Sequence, residues 1–285
     1  MNGKEALTPR EFLRIADFFA TNGYRLGPKI GEGTYSKVRI AERSNNGEFL
    51  AVKIIDKRIA KKSYVTKFLP RELEIAVLVK HPNVICTYEI LHQGELVYII
   101  MDYAERGDLL QLIQTCGGVS EKEAKRMFKE MAEAVKYLHN LGIAHRDLKC
   151  ENILIMRDKR IALSDFGFSR LYLDQQHGDV TSKTYCGSRA YASPELLRGA
   201  PYDPRTNDVW SLGVILFIMI CGKMPFDDRN LKLMLKKQMS EGVTVPETVK
   251  TQVSSECVRL VYQILDPNTD SRPGVVDILQ SDWLN

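Results

Sequence analysis

A chain of 285 residues, 44% hydrophobic and 27% charged, has room for one large domain or two lobes, in the composition of a soluble globular protein. Its net charge of +4 is an ordinary surface excess, since basic clusters such as Lys57-Arg58 with Lys61-Lys62 have no aromatic platform or nucleic-acid motif beside them. The longest apolar run, Leu212 to Cys221, is shorter than the ~20 residues a bilayer span needs and reads as a buried core helix.

Six cysteines (Cys86, Cys116, Cys150, Cys186, Cys221 and Cys257) are scattered without a C-x-x-C or any metal-like spacing. Met1 to Thr8 is polar and carries neither a signal-peptide core nor a myristoylation signal. Free thiols in a cytoplasmic, monomeric protein with no nucleic-acid or membrane partner are the expectation.

Along the chain, Thr8-Pro9 marks a helix start, and Phe12, Ile15, Ala16 and Phe19 recur at helical spacing until Asn22-Gly23. Strands are predicted over 24–28, 37–43 and 49–56, joined by glycine-rich and Asn-Gly links of hairpin type. A helix over 64–80 follows, then strands over 84–91 and 96–102. From there the pattern is mostly helical, over 109–114, 120–141, 206–221, 230–240 and 254–265, with short strands flanking 153–163. This shift in composition predicts an extension over 1–23, a strand-rich lobe over 24–101, a hinge at 102–107 and a helical lobe over 108–285. Trp283-Leu284 lies one residue from the end of the sequence, so no separate regulatory domain is expected after the helical lobe.

Four stretches carry chemistry. Gly31-Glu32-Gly33-Thr34-Tyr35-Ser36-Lys37-Val38 sits between two strands, where glycines let a backbone lie close over phosphates and aim its N–H groups at them. Hairpin turn geometry explains the same glycines equally well, and Ser36 stands where G-x-G-x-x-G has its third. A dinucleotide fold is excluded because a strand, not a helix, follows. Lys53, between Val52 and Ile54, is either a solvent-facing strand residue or a phosphate ligand; Glu72 in the next helix is the carboxylate that would hold it.

His145-Arg146-Asp147-Leu148-Lys149-Cys150-Glu151-Asn152 is far more specific, and Asp165-Phe166-Gly167 follows it. In phosphoryl transfer, Asp147 would orient or accept the proton of the attacking hydroxyl, and Lys149 would steady charge on the moving phosphate. Asn152 and Asp165 would hold Mg²⁺, an ion that takes few carboxylates plus phosphate oxygens. A charged surface loop explains either run alone but not both in this order.

This ordered set, closed by Ser193-Pro194-Glu195, resembles the protein-kinase signature from residue 24 to the end of the chain. Lys149 after Asp147, with Gly187-Ser188, resembles the serine/threonine branch. Closer similarity is to the testis-specific serine/threonine kinases, carried by Lys67 to Glu72, His145 to Ile153, Leu163 to Ser169, Ser182 to Ser188, Trp210 to Leu216 and Cys221 to Pro225.

The resemblance implies an α+β, bilobal kinase fold and an enzyme using ATP and Mg²⁺ on protein substrates, acting in male germ-cell development. It implies that Ile30, Gly31, Glu32, Gly33, Thr34, Tyr35, Ser36, Lys37, Val38, Ala51 and Lys53 contact ATP. Met101 would be the gatekeeper beside the adenine, Asp102 and Ala104 would offer it backbone groups, and Asp108 would sit near the ribose. Glu195 would pair with Arg272, and Asp208 would brace the catalytic loop. Arg146 would receive a phosphate on Thr184, placed by autophosphorylation or an upstream kinase and carrying about −1.5 to −2 charges. Asp108 and Glu151 would favour substrates with a basic residue near the target Ser or Thr, most of all Arg three positions before it. Two other readings stay open. One is a pseudokinase or scaffold, against which Lys53, Asp147 and Asp165 all stand; the other is a small-molecule kinase, against which the stretch from Thr184 to Glu195 stands.

Overall fold

The structure, a computed structural model, describes residues 9–174, 178–179, 187–199 and 201–285. Contacts divide it into two compact units, one of residues 1–67 and 86–103, the other of 68–85 and 104–285.

The first unit is a five-stranded antiparallel sheet with one helix packed on it. α1 (Pro9–Thr21) leads into β1 (Tyr24–Glu32), β2 (Ser36–Arg43), β3 (Phe49–Asp56), β4 (Thr87–Gln93) and β5 (Leu96–Asp102), in the spatial order β1-β2-β3-β5-β4. Ile15 and Phe19, one turn apart on α1, are buried with Leu50, Val52, Ile54, Tyr98 and Ile100. Phe19 meets Tyr98 edge-on at 5.0 Å, and Phe18 stacks on the same ring at 5.5 Å. Because strand side chains alternate, this packing assigns one sheet face to α1 and leaves Ala51, Lys53 and Ile55 on the other.

The second unit holds α2 (Leu69–Leu78), α3 (Leu109–Cys116), α4 (Glu121–Asn140), β6 (Ile143–Ala144), β7 (Ile153–Ile155), β8 (Ile161–Leu163), β9 (Arg170–Leu171), α5 (Pro194–Arg198), α6 (Pro204–Cys221), α7 (Leu231–Ser240), α8 (Glu247–Lys250), α9 (Ser255–Ile264) and α10 (Val275–Leu279). β10 (Leu173–Asp174) pairs with β11 (Gly178–Asp179). α6 is apolar on nearly every side and is the buried axis, with Trp210, Leu212, Val214 and Ile215 at zero exposure. α4 and α9 pack against it. Side chains fix where helices begin: Ser120, Asp203, Asn230 and Ser254 each accept a backbone N–H of the first turn.

Three expected elements are redrawn, the first being β1, expected over 24–28 and running on to Glu32. The helix expected over 64–80 is a π-type turn over Tyr64–Phe68 followed by α2, because Pro70 lacks an N–H and fits only a first turn. The strand expected over 84–91 begins at Thr87 instead. Val84 bridges Leu163, and Ile85 donates to the Leu163 carbonyl at 2.9 Å, which takes both residues to β8.

Candidate active site

In the first unit, register gathers one face. Val38 lies opposite Lys53, which lies opposite Ile99, while Ala51 lies between Ile40 and Met101. Directly opposed antiparallel residues share a face, so Val38, Ala51, Lys53 and Met101 line the side away from α1. Gly31 opposes Val38, and a Cβ there would touch the Val38 Cβ at 3.5 Å. Ile30 and Glu32 flank it on β1, and Lys37 flanks Ser36 on β2. The hairpin tip is closed by Gly33 N–H donating to the Ser36 carbonyl at 2.8 Å, which leaves Thr34 and Tyr35 as its two outermost residues. A Cβ on Gly33 would lie 2.6 Å from Ser36 Oγ, so the serine at the third glycine position fills space that only glycine at 33 leaves open.

In the second unit, the catalytic-loop residues are withdrawn from water: His145, Arg146, Asp147 and Asn152 are all buried. Asp208, at zero exposure, accepts the backbone N–H of His145 at 2.8 Å and of Arg146 at 2.7 Å, and its carboxylate also meets His139 Nε2 at 3.0 Å. The left-handed φ of 65° at Arg146 is costly for a residue with a Cβ, and these bonds enforce it.

The Asp147 carboxylate is held at both oxygens. Oδ2 accepts from Lys149 Nζ at 2.7 Å and Asn152 Nδ2 at 3.3 Å; Oδ1 accepts from Ser188 N at 2.8 Å and Ser188 Oγ at 2.9 Å. Lys149 Nζ also reaches Ser188 Oγ at 3.2 Å. One carboxylate, one ammonium and one hydroxyl therefore meet in a geometry suited to orienting a second hydroxyl.

Asn152 and Asp165 are brought to the same end of the β7–β8 hairpin. Ile153 pairs with Leu163, and Ser164 N donates to the Asn152 carbonyl at 2.9 Å, one residue before Asp165. Asp165 also has a left-handed φ, 66°. Phe166 turns into the apolar core that includes Ile75 and Val79, with its ring 5.5 Å from that of His145. Gly167 is pressed between carboxylates: a Cβ there would lie 3.3 Å from Asp165 Oδ1 and 3.4 Å from the buried Glu72 Oε2. Among the described residues no group of three or more His, Cys, Asp or Glu could hold a metal alone. One carboxylate plus one amide oxygen fits instead an ion that takes its other ligands from phosphates and water, as Mg²⁺ does.

Further members of the site come from far along the chain, where sequence reasoning had no signal of contact. Ser188 is one; Tyr191 is another, its hydroxyl accepting from Cys150 N at 3.3 Å and lying 3.5 Å from Glu151 Oε2. Burial pushes the Cys150 thiol up to about 12 and raises the Tyr191 phenol, so both stay protonated. Arg146 Nε donates to the Phe168 carbonyl at 2.8 Å, and β9 pairs Arg170 with Ala144, two residues before Arg146.

Other named residues have structural work of their own. Asp108 caps α3, accepting Gln111 N at 2.9 Å. In the first unit the Asp102 carboxylate accepts from Cys86 N at 2.9 Å and Tyr88 Oη at 2.7 Å, and the Asp102 N–H is committed to the Cys86 carbonyl. In the second unit the Ala104 carbonyl accepts from Gly107 N at 3.4 Å. Glu151 is exposed. Thr184 lies outside the described residues.

The protein kinase domain family profile matches residues 24–284. The chain is 45% identical over 264 residues to testis-specific serine/threonine-protein kinase 1 of Mus musculus, covering 92% of this chain and 72% of that protein. It is 42% identical over 271 residues to testis-specific serine/threonine-protein kinase 3 of the same species, covering 95% and 99%. A plant relative, CBL-interacting protein kinase 31 of Oryza sativa subsp. japonica, is 36% identical over 280 residues, 98% of this chain and 60% of that protein.

Proposed function

We propose that this chain, which belongs to the protein kinase family and is a serine/threonine protein kinase of the testis-specific kind, transfers the γ-phosphoryl group of ATP to serine and threonine hydroxyls of proteins. The observation that carries the proposal is the Asp147 carboxylate, fixed through both oxygens by Lys149, Asn152 and Ser188. Phosphoryl transfer asks a protein chiefly for positioning and for opposite charge where charge develops.

Asp147 orients the substrate hydroxyl and receives its proton as the oxygen attacks phosphorus. The Lys149 ammonium, already bonded to Asp147, offsets charge on the group in flight. Lys53, steadied by Glu72, binds nucleotide phosphates, and the backbone from Ile30 to Val38 covers them. Ala51 and Met101 bound the adenine, Asp102 and Ala104 present backbone groups to it, and Asp108 stands near the ribose. Asn152 and Asp165 would hold Mg²⁺, which would supply positive charge against the nucleotide phosphates. In this assignment residues 24–101 act as the nucleotide lobe, 102–107 as a hinge and 108–285 as the substrate lobe.

Regulation and specificity follow from charge. A phosphate on Thr184, added by an upstream kinase or by the enzyme itself, is received by Arg146, whose guanidinium matches phosphate in two-point geometry. Glu151 and Asp108 draw arginine upstream of the acceptor. The words testis-specific in the names of the animal relatives support a role in male germ cells, with spermatogenesis as the process served, and the free thiols support a reducing compartment such as the cytoplasm, where the chain acts as a monomer. A scaffold lacking catalysis would be expected to have lost Lys53, Asp147 or Asp165, and the chain retains all three. Phosphorylation of an arrayed set of serine and threonine peptides, with magnesium and labelled ATP, tests the proposal. Incorporation concentrated on arginine-containing peptides supports it, and incorporation on none of them counts against it. A Thr184→Ala enzyme of undiminished activity would remove the phosphosite.

A further inference from the structure

The hairpin tip carries Thr34 and Tyr35, of which Thr34 is exposed. Beside the tip is a hollow bordered by Ile54, Asp56, Ile59 and Leu96, and Ile59 itself is 51% exposed. Yet the tip is not left to solvent. The Tyr35 ring packs against the ring of Tyr64, centroids 5.1 Å apart and tilted by 43°. Both rings are half-buried, and both residues belong to the first unit. The Tyr35 backbone is tied as well, its carbonyl accepting from Asp56 N at 3.4 Å.

Tyr64 is itself well placed to act as an anchor. It opens the π-type turn 64–68, and both Tyr64 N and Val65 N donate to the Lys61 carbonyl, at 2.9 and 3.2 Å. Turns of this kind are uncommon and are found frequently at functional sites. The turn is far in sequence from the tip, so its contact with Tyr35 is a tertiary one. With Ser36 closing the tip over Gly33, the Tyr35–Tyr64 pair is a tertiary attachment of the segment that carries the backbone N–H groups of 31–36.

We infer that Tyr64 is a positioning residue for the nucleotide phosphates: its ring holds Tyr35 and, through it, the glycine-rich tip in the phosphate-binding position. The inference rests on the reading of residues 30–38 as the segment that covers ATP. It makes a demand that a general packing role does not. Loss of the Tyr64 ring weakens ligands in proportion to the phosphates they carry and leaves the nucleoside part of the affinity alone.

Calorimetric titration of the full chain with ATP, ADP and adenosine, for wild type, Tyr64→Ala and Tyr64→Phe, tests it. From the usual strength of a ring pair, Tyr64→Ala is expected to bind ATP and ADP about three- to tenfold more weakly, with adenosine affinity unchanged. In turnover the loss appears in KM for ATP, with kcat at saturating ATP little altered. Tyr64→Phe, which keeps the ring, is expected to match wild type. Tyr35→Ala should reproduce the Tyr64→Ala losses, and the double variant should be no worse than either single one. The inference is overturned if Tyr64→Ala binds ATP as wild type does, if adenosine is lost by the same factor as ATP, or if Tyr64→Phe behaves like Tyr64→Ala. A wild type that binds adenosine and ATP equally well would instead defeat the phosphate-covering reading itself.

Discussion

Arg272 donates to both oxygens of Glu195, at 2.7 and 3.1 Å, across 77 positions of sequence. The guanidinium also bonds the Thr206 and Asp266 carbonyls and lies over the Trp210 ring at 5.0 Å. Burial pushes the Glu195 carboxyl up, but the Arg272 bonds and charge, with the Thr206 hydroxyl, reverse this and leave it below its ordinary value of 4.5. A group whose folded value is depressed stabilises the fold above its unfolded value, and that contribution is lost as pH falls through the folded one. The stability gap between wild type and Glu195→Gln, read by urea unfolding, should therefore be full near neutrality and close as pH falls below 4.5. Arg272→Ala, which strands the carboxylate, should cost about 3–5 kcal/mol. A gap independent of pH would contradict the pairing.

Asp208 has no exposed surface and accepts two backbone N–H groups of the catalytic loop. Removing it leaves both donors buried without partners, at roughly 1–3 kcal/mol each. Asp208→Ala should lower the unfolding midpoint and reduce kcat together, since the left-handed turn at Arg146 loses its clamp. Unchanged kcat in a folded variant would show that the loop keeps its shape unaided.

Gly187 precedes Ser188 and has φ of +91°, and a Cβ there would run into the Arg146 carbonyl and approach Asp147 Oδ1 to 3.5 Å. Gly187→Ala must displace the segment that delivers two hydrogen bonds to Asp147. A fall in kcat of about tenfold or more is expected, from one misplaced contact in the site. Circular dichroism should show the fold retained.

Glu151 is exposed and touched by the Tyr191 hydroxyl. Reversing its charge with Glu151→Lys should raise KM for arginine-containing peptides by about ten- to a hundredfold, like charges being costly to bring together. Peptides without arginine should be far less affected. Equal effects on both peptide sets would take Glu151 out of substrate selection.

Much of this was legible in the sequence, and the limits have physical causes. The run from His145 to Asn152 and the Asp165 triplet could be read because their chemistry is dense and local. The Glu195–Arg272 pair and the bracing by Asp208 were available only through resemblance, since nothing in spacing brings residues so far apart together. Ser188 and Tyr191 stayed hidden for the same reason: each touches the catalytic loop about 40 residues before it. Val84 and Ile85 look like strand residues, but Val84 N donates to the His81 carbonyl and Ile85 N to that of Leu163, neither of them to β5. At Tyr64 the helical pattern was visible, whereas the break before Pro70 depends on the missing proline N–H.

Single-turnover transfer of the γ-phosphoryl group from ATP to an arginine-containing peptide, comparing wild type with Asp147→Asn at matched ATP occupancy, tests the central claim most directly. The expected result is nucleotide binding like wild type and transfer slower by about 10²–10⁴-fold, the share a positioned proton acceptor supplies. Equal transfer by the two proteins would contradict the assignment of Asp147.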